Sequence, residues 1–543
     1  MAISEPPSET SVERPSGLAR SAGVAGAATL TSRVLGLVRD QVLAALFGAG
    51  NEMDAFNVAF RIPNLVRDLF AEGAMSAAFV PAFTRYLTLR GKPTAWRLGN
   101  NVINAMLIVT MAFVAAGIIF ARPLVTMYAG DYAAVPGKLE LTVDLTRVML
   151  PFLTTVAVAT VAMGMLNSLH HYFVPALSPA MFNVATIACA ILLVPVMPSF
   201  GLPRIMAIAI AVILGGVGQV LVQWPALRAE GFRYAPHLDR HDPALRDVVM
   251  LMGPGTVGLA ATQINIFINT LLATSQGTGA VSWLTYAFRL MYLPIGLFGV
   301  SIATAALPAI SRHAARDDLA GIRATVSRSL AIMMMLNVPA TIGLIVLARP
   351  IVELLFEHGR FTAADTDATA AAVRLYAVGL VGYSAARIAS PTFYALRQSR
   401  TAVAISIAAI AANVLFSLSL VTWLGFRGLA LATSLAAIGN GGLLVWFLHR
   451  RLNGIEGRRL AIVALKIVTA GAAMAVAAWS IHYSMSTWVT ADRVIAQGIR
   501  LGAAIAGGLV VLAATAKLLQ IAEFNDAFAL VSSRFWAKRG DAI

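Results

Sequence analysis

Long apolar runs, separated by short polar turns, constrain this chain more than any other feature of its sequence. Hydrophobic residues make up 58% of the 543 positions, and charged residues only 12%. A soluble core cannot bury that much apolar surface, whereas a bilayer solvates it, and a spanning helix needs about 20 apolar residues. Transmembrane strands would be roughly ten residues long and would alternate polar with apolar positions, which these runs do not do. The sequence therefore predicts an all-α polytopic membrane protein.

The apolar runs divide the chain into fourteen candidate spans. They lie at about 18–48, 55–83, 98–121, 146–167, 174–197, 204–227, 248–274, 280–311, 325–348, 371–396, 401–424, 428–448, 461–483 and 494–521. Lys and Arg are concentrated in the two tails and in the even-numbered connections, as expected of cytoplasmic loops. This alternation predicts an even number of spans with both termini in the cytoplasm. It also accounts for the net charge of +15 without a nucleic-acid partner.

An internal repeat relates the two halves of the chain. Ala59-Phe60-Arg61 and Pro81-Ala82 correspond to Ala287-Phe288-Arg289 and Pro308-Ala309, and Arg147 and Asn183 correspond to Arg374 and Asn413. Because the offset covers an even number of spans, both copies have the same orientation, related by a pseudo-two-fold axis along the membrane normal. We therefore expect two six-helix lobes that face each other across a central cavity, plus two extra helices.

These patterns predict an order of segments along the chain. The order is a disordered cytoplasmic tail (1–17), an N-lobe (18–227), a cytoplasmic linker (228–247), a C-lobe (248–450), spans thirteen and fourteen (451–521) and a cytoplasmic amphipathic tail (522–543). The last segment places Phe524, Phe528, Val531 and Phe535 at helical spacing. Prolines and glycines inside spans predict broken helices at Pro63, Gly253-Pro254-Gly255, Pro294, Pro308 and Pro391.

Charged side chains inside the apolar runs are the strongest functional signal. Six arginines lie there, namely Arg33, Arg39, Arg61, Arg67, Arg289 and Arg387, but only three acids reach comparable depth, Asp40, Asp68 and Glu72, with Asp54 near a helix end. An arginine at mid-bilayer costs roughly 3 kcal/mol on insertion scales, so an excess of arginines indicates a water-filled cavity. Guanidinium groups bind phosphate bidentately and stay ionised, which favours a diphosphate as the ligand.

A structural role is the alternative explanation of the same charges. Arg39–Asp40 and Arg67–Asp68 could be ion pairs, while Arg61 and Arg387 could extend to a membrane interface. Sequence neighbours on a helix point about 100° apart, and on that ground we expect them not to face each other. A purely structural role therefore explains single residues better than it explains the whole set.

Several segments together carry a resemblance to a known family. In the first two spans these are Ser32-Arg33-Val34-Leu35-Gly36, Arg39-Asp40, Asp54-Ala55-Phe56, Pro63-Asn64-Leu65, Arg67, Phe70-Ala71-Glu72-Gly73-Ala74 and Phe79-Val80-Pro81. Later ones are Gly253-Pro254, Val281-Ser282-Trp283, Leu355-Phe356 and Gly359-Arg360-Phe361-Thr362. From about residue 18 to 520 the chain resembles the MurJ (MviN) lipid II flippases of the multidrug/oligosaccharidyl-lipid/polysaccharide exporter superfamily.

The resemblance implies a transporter rather than an enzyme, located in the bacterial inner membrane. Its substrate would be lipid II, the undecaprenyl-diphosphate-linked disaccharide pentapeptide, moved to the periplasmic leaflet for peptidoglycan biosynthesis. By match, the family's essential arginines correspond to Arg33, Arg39, Arg67 and Arg289, and its important acids to Asp54 and Glu72. Spans one and eight would border a lateral opening, and spans thirteen and fourteen would form a groove for the lipid tail. Phe288 and Tyr292 stand where family members often carry acids.

Residues and resemblance together predict a lipid II flippase that works by alternating access. Arg33, Arg39, Arg67 and Arg289 are predicted to bind the diphosphate, with Arg61 and Arg387 as secondary candidates, while Asp40, Asp54 and Glu72 close ion pairs with the arginines when the site is empty. No cofactor or metal is predicted, the coupling ion is left open, and membrane lipids and cell-wall synthesis proteins are the further partners.

The sequence is compatible with three alternatives. An exporter of another polyprenyl-linked glycan or of drugs would share the fold, although cationic drugs favour an acid-dominated lobe. An enzyme acting on polyprenyl diphosphates would need clustered acids or a histidine nucleophile at membrane depth. A non-transporting membrane scaffold predicts that arginine substitutions are silent.

Overall fold

The computed structural model describes residues 15–68, 75–488, 494–526 and 528, with the backbone alone at 15–27, 29, 76–77, 253–261 and 488. Within these ranges the helices are α1 (Pro15–Phe47), α2 (Asn51–Arg67), α3 (Met75–Ile119), α4 (Ala121–Ala129), α5 (Lys138–Met149), α6 (Phe152–Ser168), α7 (Phe173–Leu192), α8 (Met206–Ala229), α9 (Pro243–Thr274), α10 (Ala280–Pro294), α11 (Val300–Ala315), α12 (Leu319–Val346), α13 (Ala348–Phe356), α14 (Ala363–Val378), α15 (Leu380–Ala395), α16 (Ser399–Leu424), α17 (Phe426–Arg451), α18 (Gly457–Trp488) and α19 (Val494–Leu518). The described residues include no strand, so the predicted all-α fold class is confirmed.

Eleven helical segments of the described residues are long and apolar enough to cross a membrane. They are Ala78–Ile119, Lys138–Ser168, Phe173–Leu192, Met206–Ala229, Ala280–Ala315, Leu319–Val346, Ala363–Ala395, Ser399–Leu424, Phe426–Arg451, Gly457–Thr487 and Val494–Leu518. By position, α1, α2 and α9 correspond to the three remaining predicted spans, but α2 has only 17 residues. The count of fourteen spans therefore stays a prediction.

The two predicted tails fall mostly outside the described residues. Of the carboxyl-terminal tail, residues 522–526 are helical, and the rings of Phe524 and Phe528 stack with centroids 6.3 Å apart. Val531 and Phe535 lie outside the described residues, so the amphipathic helix proposed there stays a prediction.

The chain divides into two compact units. The first contains Met1–Leu43, Ala59–Met127 and Leu139–Gln263, and the second contains Ala44–Val58, Tyr128–Lys138 and Ile264–Ile543. Two short segments of the first half of the chain therefore belong to the second unit, which the spacing of apolar runs did not indicate. The predicted lobe boundaries at 18–227 and 248–450 stay predictions.

In the first unit, α3 packs against α6, α6 against α8, and α7 against α8. Its core is aromatic at one end, where successive rings of Phe79, Phe83, Trp96 and Phe232 lie 5.4, 5.7 and 5.3 Å apart. Gly91 divides α3 into two helices because its φ of 78° takes the chain into a conformation that favours glycine. The two parts of α3 thus pack as separate helices.

The second unit repeats this packing with other helices. Its α12 packs against α15, α15 against α17, and α16 against α17, while α18 packs against α12 and α19. Large side chains such as Phe393, Leu444 and Leu448 are fully buried in its core. The same order of helix contacts in both units is what a duplicated chain would give.

Side chains also occupy equivalent places in the two units. Asn183 of α7 donates a hydrogen bond to the carbonyl of Ser32 on α1 at 3.0 Å. Its repeat partner Asn413 of α16 donates to Oδ1 of Asn265 on α9 at 2.8 Å. The first hydrogen bond therefore joins α7 to α1, and the second joins α16 to α9. In each repeat these are the fifth and the first predicted spans.

A further matched pair was missed in the sequence. The short helices α4 and α13 begin with Ala121-Arg122-Pro123 and Ala348-Arg349-Pro350, which lie at the repeat offset. The spacing of apolar runs does not indicate either helix, because nine residues are too few for a span. The shared Ala-Arg-Pro motif is the signal that could have found them.

The predicted break at Pro294 is a π-helical turn within the continuous helical segment Ala280–Ala315, and the breaks predicted at three other prolines are wrong. α10 ends at Pro294, and a π-helical turn at Ile295–Gly299 leads into α11. By contrast, α2, α11 and α15 continue through Pro63, Pro308 and Pro391, and the backbone of α9 is helical through 253–255. Neighbouring groups in a membrane bundle can satisfy the one carbonyl that a proline frees, so the helix need not end.

Candidate substrate site

Arg39 and Asp40 form an ion pair on α1. Nε and Nη2 of Arg39 both donate to Oδ1 of Asp40, at 3.0 and 2.8 Å. Asp40 is buried, with 4% of its surface exposed, and the guanidinium carbon of Arg39 lies 5.5 Å from the ring centre of Phe182 on α7. The aromatic face and the carboxylate together orient the guanidinium group.

Arg67 and Asp68 form a second pair of the same kind at the end of α2. Nε and Nη2 of Arg67 donate to Oδ1 of Asp68 at 3.2 and 2.8 Å. The other carboxylate oxygen accepts a hydrogen bond from Nε2 of Gln263 on α9 at 3.3 Å. Asp68 thus joins the end of α2 to α9 within the first unit.

These two pairs overturn the argument that neighbours on a helix do not pair. The Cα–Cβ bonds of neighbouring residues point apart, but the arginine side chain is long enough to fold back to the adjacent carboxylate. Side chains of Arg39 and Arg67 remain 14% and 25% exposed. The pairs orient both arginines and leave part of each accessible.

The remaining predicted residues occupy several environments. Arg33 is exposed on α1, while Arg61 on α2 and Arg289 on α10 are partly buried. Exposed Arg387 on α15 donates from Nη2 to the hydroxyl of Tyr292 at 2.7 Å. Glu72 lies outside the described residues.

Asp54 has a different partner from the one predicted. Its Oδ2 lies 3.0 Å from Nζ of Lys138, and the two side chains are 0% and 2% exposed. The prediction that Asp54 pairs with an arginine was wrong, because Lys138 reaches it from the start of α5. We refer to Asp54, Lys138, Gly279 and Ser282 as the Asp54 cluster.

Asp54 also caps a helix from outside. Its Oδ2 accepts from the backbone N–H of Gly279 at 2.7 Å, and its Oδ1 accepts from the N–H and hydroxyl of Ser282 at 3.1 and 2.8 Å. These donors form the amino terminus of α10, where unpaired N–H groups and the helix dipole favour an anion. The carboxylate therefore has a complete set of partners despite its burial.

Two features of the cluster depend on specific residue types. Gly279 has a φ of 94°, and a Cβ there would lie 2.8 Å from the carbonyl oxygen of Ala49 and 2.5 Å from the ring of Trp283. The ammonium group of Lys138 lies 4.0 Å from the ring centre of Tyr132. Glycine permits the close approach, and the aromatic ring stabilises the buried cation.

Further contacts bind residues 44–58 to the rest of the second unit. The backbone N–H of Arg360 donates to the carbonyl of Ala45 at 2.8 Å, and its Nη1 lies 2.9 Å from a carboxylate oxygen of Glu52. The hydroxyl of Thr278 donates to Oδ1 of Asn51 at 2.8 Å. The turn between α1 and α2 is therefore fixed at several points near the Asp54 cluster.

Glu230, which lies outside the membrane spans, links separate segments of the first unit through its carboxylate. Lys92 and His171 each lie 2.8 Å from a carboxylate oxygen of Glu230, which follows α8. The hydrogen bond from Lys92, and then that from His171, lowers the pKa of Glu230 from its ordinary value. Ionised Glu230 therefore stabilises the folded connection.

The fold itself identifies a class of protein by its architecture, the all-α polytopic membrane proteins. The structure matches that of a lipid II flippase MurJ in an inward closed conformation with a TM-score of 0.73 and 24% sequence identity, covering 91% of this chain and 99% of the other. It also matches an inward-facing multidrug resistance MATE transporter of the MOP superfamily, with a TM-score of 0.66 and 17% identity, covering 80% and 98%. At these identities the likeness shows the fold alone.

Sequence comparison gives the family. The family model described as lipid II flippase MurJ matches residues 43–497. A probable lipid II flippase MurJ of Vibrio cholerae is 35% identical over 490 residues, covering 87% of this chain and 91% of the relative. The lipid II flippase MurJ of Burkholderia cenocepacia is 36% identical over 432 residues, covering 79% and 82%. The chain belongs to the MurJ family, whose members are membrane transporters rather than enzymes.

Proposed function

We propose that this protein is a lipid II flippase, which moves the undecaprenyl-diphosphate-linked peptidoglycan precursor from the cytoplasmic to the periplasmic leaflet. The match of residues 43–497 to the MurJ family carries this conclusion. Alternating access is the mechanism that we propose. The protein would lie in the inner membrane with both termini in the cytoplasm, as the distribution of Lys and Arg indicates.

We propose further that Arg33, Arg39, Arg67 and Arg289 bind the diphosphate. Arg39 and Arg67 are oriented by carboxylates yet partly exposed, so a phosphate group can compete with Asp40 and Asp68 for their N–H donors. Substrate and aspartate would then bind the same guanidinium groups in different steps of the cycle, which is the differential contact that a conformational cycle needs.

The Asp54 cluster is proposed to act as a lock at the end of the helices where α1 meets α2. It ties residues 44–58 and 128–138 to the amino terminus of α10 through a buried ion pair and three hydrogen bonds from α10. Moving residues 44–58 or 128–138 away from α10 would separate buried charges, which is costly in a low dielectric. That cost keeps these segments together until substrate binding offsets it.

The membrane potential can drive the proposed cycle. An inside-negative potential favours outward movement of an anion by roughly 2.3 kcal/mol per charge per 100 mV. A diphosphate carries enough charge for this energy to be useful. Cell-wall synthesis proteins as partners remain part of the proposal.

Transport in proteoliposomes tests the proposed site. Arg39→Gln and Arg289→Gln should each reduce lipid II translocation at least tenfold with near-normal expression, since each removes a charged donor to the phosphate. Arg349→Gln is the matched control, because Arg349 forms an exposed pair with Asp367 at 3.1 Å. Retained flipping by a variant would remove that arginine from the mechanism, and silent substitutions throughout would favour the scaffold. Depleting the chain in cells, with a leaflet-specific assay of the precursor, tests the function itself.

A further inference from the structure

An aromatic surface lies beside Arg289 on α10. The rings of Phe288 and Tyr292 stack with centroids 6.0 Å apart and planes inclined by 27°. The two residues are 36% and 40% exposed, whereas their neighbours Leu290 and Met291 are 3% and 0% exposed. We call Phe288 and Tyr292 the aromatic ledge.

Contacts on both sides fix the ledge in place. Phe288 packs edge-on against Tyr376 of α14, with centroids 5.5 Å apart and planes at 78°. The hydroxyl of Tyr292 accepts the hydrogen bond from Arg387 at 2.7 Å, and the guanidinium carbon of Arg387 lies 6.0 Å from the Tyr292 ring centre. Both rings are held in one orientation while their outer surfaces stay accessible.

Two arginines adjoin the ledge. On a helix, Arg289 and Tyr292 are three residues apart and therefore neighbours on the surface. Arg387 points across to α10 rather than along α15, because its Nη2 bonds to the Tyr292 hydroxyl. Charged groups at membrane depth face protein or water rather than lipid tails. The ledge is therefore part of a polar face of the second unit.

We propose that the aromatic ledge binds a sugar ring of the lipid-linked headgroup, with the diphosphate at Arg289. This inference rests on the proposed function and names the part of the substrate that α10 recognises. The C–H face of a pyranose ring packs on the negative face of an aromatic ring, while its hydroxyl groups accept hydrogen bonds from guanidinium groups. A prenyl chain would instead strip water from Arg289 and Arg387, which is unfavourable.

Binding to the full-length protein in nanodiscs tests the ledge with three lipids. They are undecaprenyl diphosphate, the same lipid carrying the disaccharide without peptide, and complete lipid II. Phe288→Leu and Tyr292→Leu should each weaken binding of the two sugar-bearing lipids by about 3- to 10-fold, the range expected for one aromatic contact. Binding of undecaprenyl diphosphate should be unchanged.

Two control variants make the test specific. Tyr292→Phe keeps the ring and should retain affinity, which separates stacking from the hydrogen bond to Arg387. Phe416→Leu removes a phenylalanine that is 39% exposed on α16. It should leave the affinity for all three lipids unchanged. Thermal unfolding of each variant checks that the fold is intact.

The outcomes separate the ledge from the proposed function. An equal loss for all three lipids, no loss for any, or a loss that requires the peptide would each overturn the ledge as a sugar site. Wild-type protein that neither binds nor translocates lipid II would contradict the proposed function instead. Arg289→Gln should weaken binding of all three lipids, since each carries the diphosphate.

Discussion

The Asp54 cluster and the two arginine–aspartate pairs of the first unit show two ways to place charge inside a membrane protein. Asp54 and Lys138 are 0% and 2% exposed and have a full set of partners. Arg39 and Arg67 bind the aspartates next to them in sequence and stay partly exposed. The first arrangement fixes structure, because separating the charges costs desolvation energy. The second orients guanidinium groups and leaves part of each exposed.

The largest stability effect is expected at the Asp54 cluster. Asp54→Asn should destabilise the protein by about 3–5 kcal/mol, because it leaves the Lys138 charge buried without its counterion. Lys138→Met should cost less, since Asp54 keeps its hydrogen bonds to α10. Thermal unfolding in detergent measures both.

The double variant Asp54→Asn/Lys138→Met sharpens this prediction. It should recover a large part of the stability that Asp54→Asn loses, since the cluster then contains no buried charge. A single Asp54→Asn variant with wild-type stability would show that the cluster is not a structural lock.

A smaller effect is expected at the pairs of the first unit. Asp40→Asn should cost about 1–3 kcal/mol, because Asp40 is buried and Arg39 loses a charged acceptor. Asp68→Asn should cost less than about 1 kcal/mol, since the Asp68 side chain is 28% exposed and water replaces it. Unfolding of the two variants side by side tests the order, and equal costs would contradict the role given to burial.

The smallest effect concerns pH and the connection held by Glu230. The folded state lowers the pKa of Glu230, so its contribution to stability is fully present above the ordinary carboxyl value of 4.5. That contribution is lost as the pH falls through the lower, folded value. Wild type should therefore exceed Glu230→Gln in melting temperature at pH 6, and the difference should shrink in acid. A difference in melting temperature that grows in acid would contradict a lowered pKa of Glu230 in the folded state.

Much of the fold was predictable because the signal is local. A run of about 20 apolar residues requires a helix wherever it meets lipid, since no water satisfies the backbone. The paired helices α4 and α13 escaped because their nine residues carry no such signal. The breaks at Pro63, Pro308 and Pro391 were wrong because their helices continue, and helix continuity depends on the neighbours of each carbonyl.

The candidate site was predictable by residue type but not by contact. An excess of arginines at membrane depth could be read from the chain, and the resemblance named the same residues. The partner of Asp54 could not, because Lys138 is 84 positions away and its charge looked like one of many in the connections. The pairing of Arg39 with Asp40 was underestimated, since helix geometry alone omits the reach of a long side chain.

The sequence by itself determined the membrane as the solvent of the chain, the helical class and the excess of arginines within the apolar runs, because each follows from composition and local spacing, and its motifs carried the resemblance to the family. Only the tertiary structure decided which acid meets which base and which aromatic rings stay exposed beside Arg289. Those choices depend on distances between residues far apart in the chain, and the energy of a charge within a membrane protein is set by its nearest partners.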